Sequence, residues 1–292
     1  MSSSRSSSVL FPVALLLVSM VSIQAGASLA KSLFPAIGAT GATALRLGIG
    51  TLLLWAVFRP WKLDWRALPW PMLLGYGLSL GVMNTLFYIA LQTVPLGIAI
   101  ALEFTGPLAV AVLGSRRARD LLWAALAIGG LLLLVPWPGA QTSLDPLGMA
   151  CALGAGVCWA LYILFGQKAG AEHGAQTVAL GSTIACVVAV PWGVAHAGSA
   201  LLAPELLPAA LGVAVLSMAL PYSLEMMALT RLPTRTFGML MSLEPALGAL
   251  CGMVLLHEQL RPLQWLAIAA VVAASAGATL GNQAPVAAPV PD

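Results

Sequence analysis

The sequence predicts an all-α polytopic membrane protein, with ten transmembrane helices in two inverted five-helix repeats. Three observations carry this expectation. The 292 residues are 60% hydrophobic and only 8% charged, whereas soluble domains are roughly 25% charged. The apolar residues fall in unbroken runs long enough to cross a bilayer. The second half of the chain also echoes the first, with the loop charges of the two halves on opposite sides. Backbone amides in hydrocarbon must be satisfied within a helix or a closed barrel, and runs that do not alternate in polarity select helices. At about 20 residues per span, ten spans take roughly 200 residues and leave about 90 for loops and tails. No sizeable soluble domain fits in that remainder.

In chain order the runs cover about 9–31, 38–58, 69–91, 95–114, 120–137, 146–168, 175–197, 206–229, 233–255 and 262–281. Short links rich in proline, glycine or charge separate them, such as Arg59 to Arg66, Ser115 to Asp120 and Pro136 to Pro146. The first run could be taken for a cleavable signal peptide, because Arg5 precedes it and it runs into Ser28-Leu29-Ala30. The repeat argues otherwise. A shift of 138 lays Ala90-Leu91-Gln92-Thr93-Val94-Pro95 on Ala228-Leu229-Thr230-Arg231-Leu232-Pro233 and Pro107 on Pro245. A shift of 137 lays Lys31 on Lys168 and Trp55 on Trp192. The first run is therefore the counterpart of the sixth. The expected organisation is one repeat over 1–142, a second over 143–283, and a disordered tail over 284–292.

Five spans per repeat is an odd number, so the second half must enter the membrane from the opposite side. Loop charge tests this independently. With the N-terminus inside, the tail and even-numbered loops carry Arg5, Arg59, Lys62, Arg66, Arg116, Arg117, Arg119, Lys168, Arg231 and Arg235, and the odd-numbered loops carry Arg261. This is the positive-inside pattern, and it places both termini in the cytoplasm. Inverted repeats of this kind belong to secondary transporters, whose substrate sites lie between the halves near the midplane. Gly77 and Gly81, and Gly248 and Gly252, form G-x-x-x-G patterns that allow close helix packing.

A charge at the bilayer centre costs from about 2.5 to over 10 kcal/mol, so an ionisable residue inside a span marks a candidate functional site. Four stand out: Glu103 mid-way along the fourth run, Glu244 mid-way along the ninth, Arg46 in the second, and Glu225 near the cytoplasmic end of the eighth. Glu103 and Glu244 precede the repeat-related prolines by four residues and one, so both carboxylates can occupy similar helix faces. Two such acids are costly to ionise together in an apolar setting, which suits a proton-coupled carrier. The competing reading is that each caps backbone beside its proline or pairs permanently with a base. Arg46 offers a planar fork of donors to an anionic substrate group; its alternative is a structural pair with a glutamate. Lys31 is expected to snorkel to the interface, although Gln24, Ser28 and Lys31 form a polar stripe along one face. Asn84 with Tyr88, Trp159 with Tyr162, and Tyr222 with Glu225 share helix faces and are candidates either to line a cavity or to anchor at the interface. Pro107, Pro221 and Pro245 should kink their spans or free carbonyls for polar contacts.

The remaining chemistry is sparse. Cys151, Cys158, Cys186 and Cys251 lie in apolar runs without metal-ligand spacing and read as packing residues. His173, His196 and His257 fall in links, outside any metal or triad motif. No zinc-protease, nucleophile-elbow, phosphate-loop or dinucleotide fingerprint is present, so an enzyme is not expected. The net charge of +3 is spread over short loops and gives no nucleic-acid footprint.

The segments SIQAGASLAKSLFP (22–35), TVPLGIAIALEFTGPLAVA (93–111), LGAGVCWALYILFGQ (153–167), AGAEHG (169–174) and ALPYSLEMMALTRLPTRTFGMLMSLEPAL (219–247) resemble the EamA group of the drug/metabolite transporter superfamily. Within that group the likeness is to exporters of threonine and homoserine. The resemblance implies a bacterial inner-membrane exporter of those and related small amino acids, driven by proton antiport and using no cofactor. The expected partners are small amino acids, protons and the lipid bilayer, with a second copy of the chain as a candidate homodimer partner and no nucleic acid. The alternatives are export of another metabolite or a cationic drug, and, from a different class, a membrane-embedded enzyme or scaffold.

Overall fold

The computed structural model describes residues 6–113, 118–134, 144–169, 175–229, 231 and 240–281. It is all-helical, with no strand among the described residues. The helices are α1 (Ser6–Phe58), α2 (Trp70–Ala90), α3 (Leu96–Glu103), α4 (Thr105–Leu113), α5 (Ala118–Leu134) and α6 (Pro146–Ala169). After them come α7 (Ala175–Ala197), α8 (Leu207–Ala214), α9 (Leu220–Leu229), α10 (Glu244–Leu255) and α11 (Pro262–Gly281). Five stretches are long and apolar enough to cross a membrane: Leu10–Phe58, Trp70–Ala90, Pro146–Gly166, Gln176–Leu202 and Leu207–Glu225. The remaining apolar helices, Leu96–Val110, Leu121–Leu133, Glu244–Leu255 and Pro262–Gly277, are shorter. Leu52, Leu121 and Val187 stand largely exposed on the outside. Exposed apolar side chains of that kind are suited to contact with acyl chains.

The link expected at 32–37 between the first two runs is helical. Helix α1 continues through Pro35 to Gly38, whose φ of 67° and ψ of 173° interrupt it. Only glycine enters that region without a Cβ clash. Gly26 packs on Ser217 and Gly50 on Met218, at positions equidistant from Gly38. The two arms of α1 therefore run back past the same level of the bundle, which makes α1 a hairpin of two helices.

Proline explains the other interruptions. Helix α3 ends at Glu103, and Phe104 forms a turn before α4. Pro107 has no N–H to return to the Glu103 carbonyl four residues back, so the ladder fails there. Ahead of Pro245 the pattern recurs: residues 240–241 are helical, Ser242 and Leu243 form a turn, and Glu244 opens α10. Between α8 and α9 the backbone widens into a π-helical turn, Val215–Ala219. There Pro221 withholds the N–H that Ser217 O would otherwise receive.

Small residues bring the helices close enough to enclose polar groups. A methyl added at Gly77 would meet Ile184 and the Gly181 carbonyl of α7, and one at Gly248 would meet Ile100 of α3. At the broken α3–α4 element, a methyl on Gly106 would collide with the Gly156 carbonyl oxygen, and one on Gly156 would lie 2.7 Å from Glu103 O. Asp145 fixes the start of α6 by accepting from the Thr93 hydroxyl at 2.8 Å and the Gly148 amide at 3.0 Å. The Thr93 hydroxyl, followed by that amide, holds its carboxyl below the usual carboxylate range.

Gly106→Ala is expected to abolish the α4–α6 contact, because the obstacle is backbone and cannot rotate away. Gly48→Ala is the control, since no atom lies within 4 Å of the added methyl. Size-exclusion chromatography in detergent should show loss of monodisperse protein for Gly106→Ala alone.

Candidate functional site

A cavity of about 250 Å³ lies inside the bundle. Both arms of α1 contribute to its wall, together with α2, α3, α6, the π turn, α9, Met241 and the first residue of α10. Ten of the residues singled out by the sequence line it: Gln24, Arg46, Asn84, Tyr88, Glu103, Trp159, Tyr162, Tyr222, Glu225 and Glu244. Ile23, Ala27, Met83, Phe87, Ile100, Ser217 and Met241 complete the lining.

Arg46 is 7% exposed and is held at one side of this space. Its Nε donates to Ser217 Oγ at 2.7 Å, and its Nη2 donates to Ser217 O at 3.0 Å. Nη1 donates to Asn84 Oδ1. Asn84 is fixed in turn, because its Nδ2 donates to Leu80 O at 2.8 Å. The guanidinium carbon lies 5.5 Å from the Tyr88 ring centroid, within cation–π range. Of the two sequence readings of Arg46, a permanent pair with a glutamate is not realised. Among the described residues it forms no ion pair within 4 Å. Neutral acceptors orient the charge without cancelling it.

The acids occupy the rest of the wall. Glu103 and Glu244 are 8% and 6% exposed. Gln24 Nε2 donates to Glu244 Oε1 across 3.5 Å, while Glu244 Oε2 has no hydrogen-bond partner among the described residues. Glu225 Oε1 accepts from Ser19 Oγ at 2.8 Å. The aromatic candidates form walls: Tyr162 stacks on Tyr76 with ring centroids 4.6 Å apart, and Trp159 meets Phe104 edge-on at 5.4 Å.

One helical turn beyond Ala27 lies an ion pair that the sequence did not suggest. Lys31 does not snorkel alone; its Nζ donates to Glu258 Oε1 at 2.7 Å. Glu258 Oε2 accepts the Leu96 amide at 2.8 Å, where a carboxylate also complements the positive end of α3. The Glu258 amide bonds Gly252 O at 3.1 Å. One residue thus ties α1 and the start of α3 through its side chain and the end of α10 through its backbone amide. At about 1.5 Å rise per residue, the Leu96 amide lies about 10 Å along α3 from Glu103.

Ser19, Ser217 and Glu258 were not anticipated. A serine in a span usually bonds its own backbone, as Ser28 does to Gln24 O at 2.9 Å, so residue type does not distinguish Ser217. The available signal was Pro221 four positions later. His196, read as a link residue, lies in the last turn of α7, and His257 is in a loop with φ of 55°. His173 lies outside the described residues. Among the described residues no group of His, Cys, Asp and Glu is placed to hold a metal ion.

Removing one neutral acceptor leaves a buried guanidinium N–H unpaired, which costs about 1–3 kcal/mol. Ser217→Ala and Asn84→Ala should each lower the melting temperature of the detergent-solubilised protein, and Ser32→Ala, whose hydroxyl is exposed, should leave it unchanged.

The profile of the EamA-like transporter family matches residues 146–280. The threonine/homoserine exporter RhtA of Escherichia coli (strain K12) is 59% identical over 276 residues, covering 94% of each chain. RhtA of Salmonella typhimurium (strain LT2) is 60% identical over 278 residues, 95% of this chain and 94% of that one. The uncharacterized transporter YwfM of Bacillus subtilis (strain 168) is 28% identical over 79% of this chain and 80% of its own. A crystal structure at 21% identity superposes with a TM-score of 0.60 over 95% of this chain and 99% of its own, which speaks to the fold alone. The chain belongs to the EamA-like transporter family and is a multi-pass membrane transporter, not an enzyme.

Proposed function

We propose that this protein exports small amino acids, threonine and homoserine first among them, across the bacterial inner membrane by proton-coupled alternating access. Ten spans in two inverted repeats, 1–142 and 143–283, would carry both termini in the cytoplasm. The observation that carries the reading is the charge layout of the cavity. An oriented Arg46 with no ion pair among the described residues faces a space shared with Glu103 and Glu244, which complements a zwitterion. The volume of about 250 Å³ lies just below the roughly 300–1,000 Å³ of pockets that hold drug-sized ligands, as suits a smaller substrate. The names of the 59–60% identical relatives point the same way.

In this mechanism the substrate carboxylate binds at Arg46 and its ammonium at the glutamates. The glutamates differ in one respect. Glu244 opens α10, where the helix dipole favours an anion, whereas Glu103 ends α3, where the dipole opposes one. Glu103 is accordingly assigned the proton and Glu244 the ammonium. A neutral zwitterion exchanged for one proton moves one charge inward, worth about 2.3 kcal/mol per 100 mV of membrane potential. The Lys31–Glu258–Leu96 clasp closes the outer end in this state. A cationic substrate is the second reading, because three carboxylates, Glu103, Glu225 and Glu244, line the cavity against one guanidinium; the unpaired Arg46 weighs against it.

Right-side-out vesicles loaded with radiolabelled threonine should show efflux accelerated by an acidic exterior. Glu103→Gln, verified as inserted, should lose that acceleration by about tenfold or more, and absence of threonine and homoserine efflux from wild-type vesicles would sink the substrate assignment. Loosening the clasp gives a second prediction. In a background with the four cysteines replaced by alanine, Ala27→Cys should react several-fold faster with a membrane-impermeant thiol reagent once Glu258→Gln is added. Unchanged reactivity would remove Glu258 from the outer closure.

A further inference from the structure

Two buried side-chain polar atoms make no hydrogen bond among the described residues, Tyr88 Oη and Glu244 Oε2, and both residues line the same cavity; the Ser217 hydroxyl near the phenol is already engaged, donating to Val213 O and accepting from Arg46 Nε. Glu244 is used in the proposed binding of the ammonium. Tyr88 has no assigned task. Its side chain is 2% exposed and among the largest that are fully buried. Phe34 and Phe87 flank the ring at centroid distances of 6.1 and 6.2 Å, and the Arg46 guanidinium covers it. The ring is wedged and its hydroxyl cannot swing away to seek a partner. Packing alone does not account for that oxygen. Phenylalanine would fill the same space without the cost of a buried, unpaired hydroxyl.

We propose that the Tyr88 hydroxyl is the specificity-determining group of the cavity, hydrogen-bonding the side-chain hydroxyl of the transported amino acid and so selecting hydroxylated substrates over apolar isosteres. This rests on the amino-acid export reading above. A carboxylate anchored on Arg46, which lies over the Tyr88 ring, brings the substrate's side chain beside that phenol. The phenol both donates and accepts, so it can meet an alcohol on the β-carbon, as in threonine, or on the γ-carbon, as in homoserine. An isostere bearing a methyl in place of the hydroxyl leaves Tyr88 unpaired. Sites built around a substrate hydroxyl reject such analogues far more strongly than apolar pockets reject a size mismatch.

The test compares efflux of labelled threonine, homoserine, valine and norvaline from right-side-out vesicles containing the full-length protein or Tyr88→Phe. Wild type is expected to favour each hydroxylated amino acid over its isostere by about tenfold or more, and Tyr88→Phe to shrink that ratio by about the same factor. Wild-type efflux of valine equal to threonine, or an equal loss for all four substrates in Tyr88→Phe, overturns the assignment. Should Tyr88→Phe fail to insert, the thermal shift of detergent-solubilised wild type decides: stabilisation by threonine well above that by valine supports it, and equal stabilisation overturns it. Failure of wild type to export any of the four strikes the export reading itself, a result distinct from export without discrimination.

Discussion

The structure depends on how one permanent cation, Arg46, is kept inside an apolar bundle. A guanidinium cannot escape the cost of burial by losing its proton, so the surrounding helices must supply acceptors. One of the three acceptors is a backbone carbonyl and two are side-chain oxygens. Pro221 denies Ser217 O its ordinary helical donor, the π turn Val215–Ala219 accommodates the irregularity, and Nη2 of Arg46 reaches that oxygen at 3.0 Å. Asn84, held by Leu80 O, supplies a third acceptor. Because these partners are neutral, the positive charge is oriented and still available. An ion pair at this point would have stabilised the apo cavity and removed its affinity for an anionic group.

Close packing makes that arrangement feasible. The π turn reaches α1 because Gly26 has no side chain to hold it off. The hairpin at Gly38 delivers Gln24 from one arm and Arg46 from the other to the same space. At the α3–α4 break, Gly106 and Gly156 bring backbone against backbone, so the interrupted ladder beside Glu103 is enclosed by protein. Non-helical backbone at membrane depth is tolerated where protein or a cavity covers it. The breaks ahead of Pro107 and Pro245 meet that condition at Glu103 and Glu244, which line the cavity.

The polar lining was legible in the sequence for an energetic reason. A charge or amide in the middle of an apolar run is too costly to face lipid, so Gln24, Arg46, Asn84, Glu103 and Glu244 had to converge on an interior space. The helices were legible in the same way, from continuous apolar runs. What stayed hidden depended on backbone path or tertiary proximity. Nothing local marks residues 32–37 as helical up to a single turn at Gly38. Ser217 resembles any serine that bonds its own helix until the π turn places it. Lys31 and Glu258 are distant in sequence, and only the folded chain brings them within 2.7 Å, which is why Lys31 read as a snorkelling residue.

The clasp and the cavity share one short helix. Glu258 bonds the first amide of α3, and Glu103 is the last residue of the same short helix. A helix of eight residues with intact internal bonds is stiff, and the bond that Pro107 cannot make weakens its tie to α4. On the proposed reading, a substrate that pushes on its carboxyl-terminal end would strain the Leu96 contact with Glu258 and leave that carboxylate held by Lys31 alone. In the proposed transport cycle this couples occupancy near Glu103 to the clasp through one short helix, without requiring the long helices to deform.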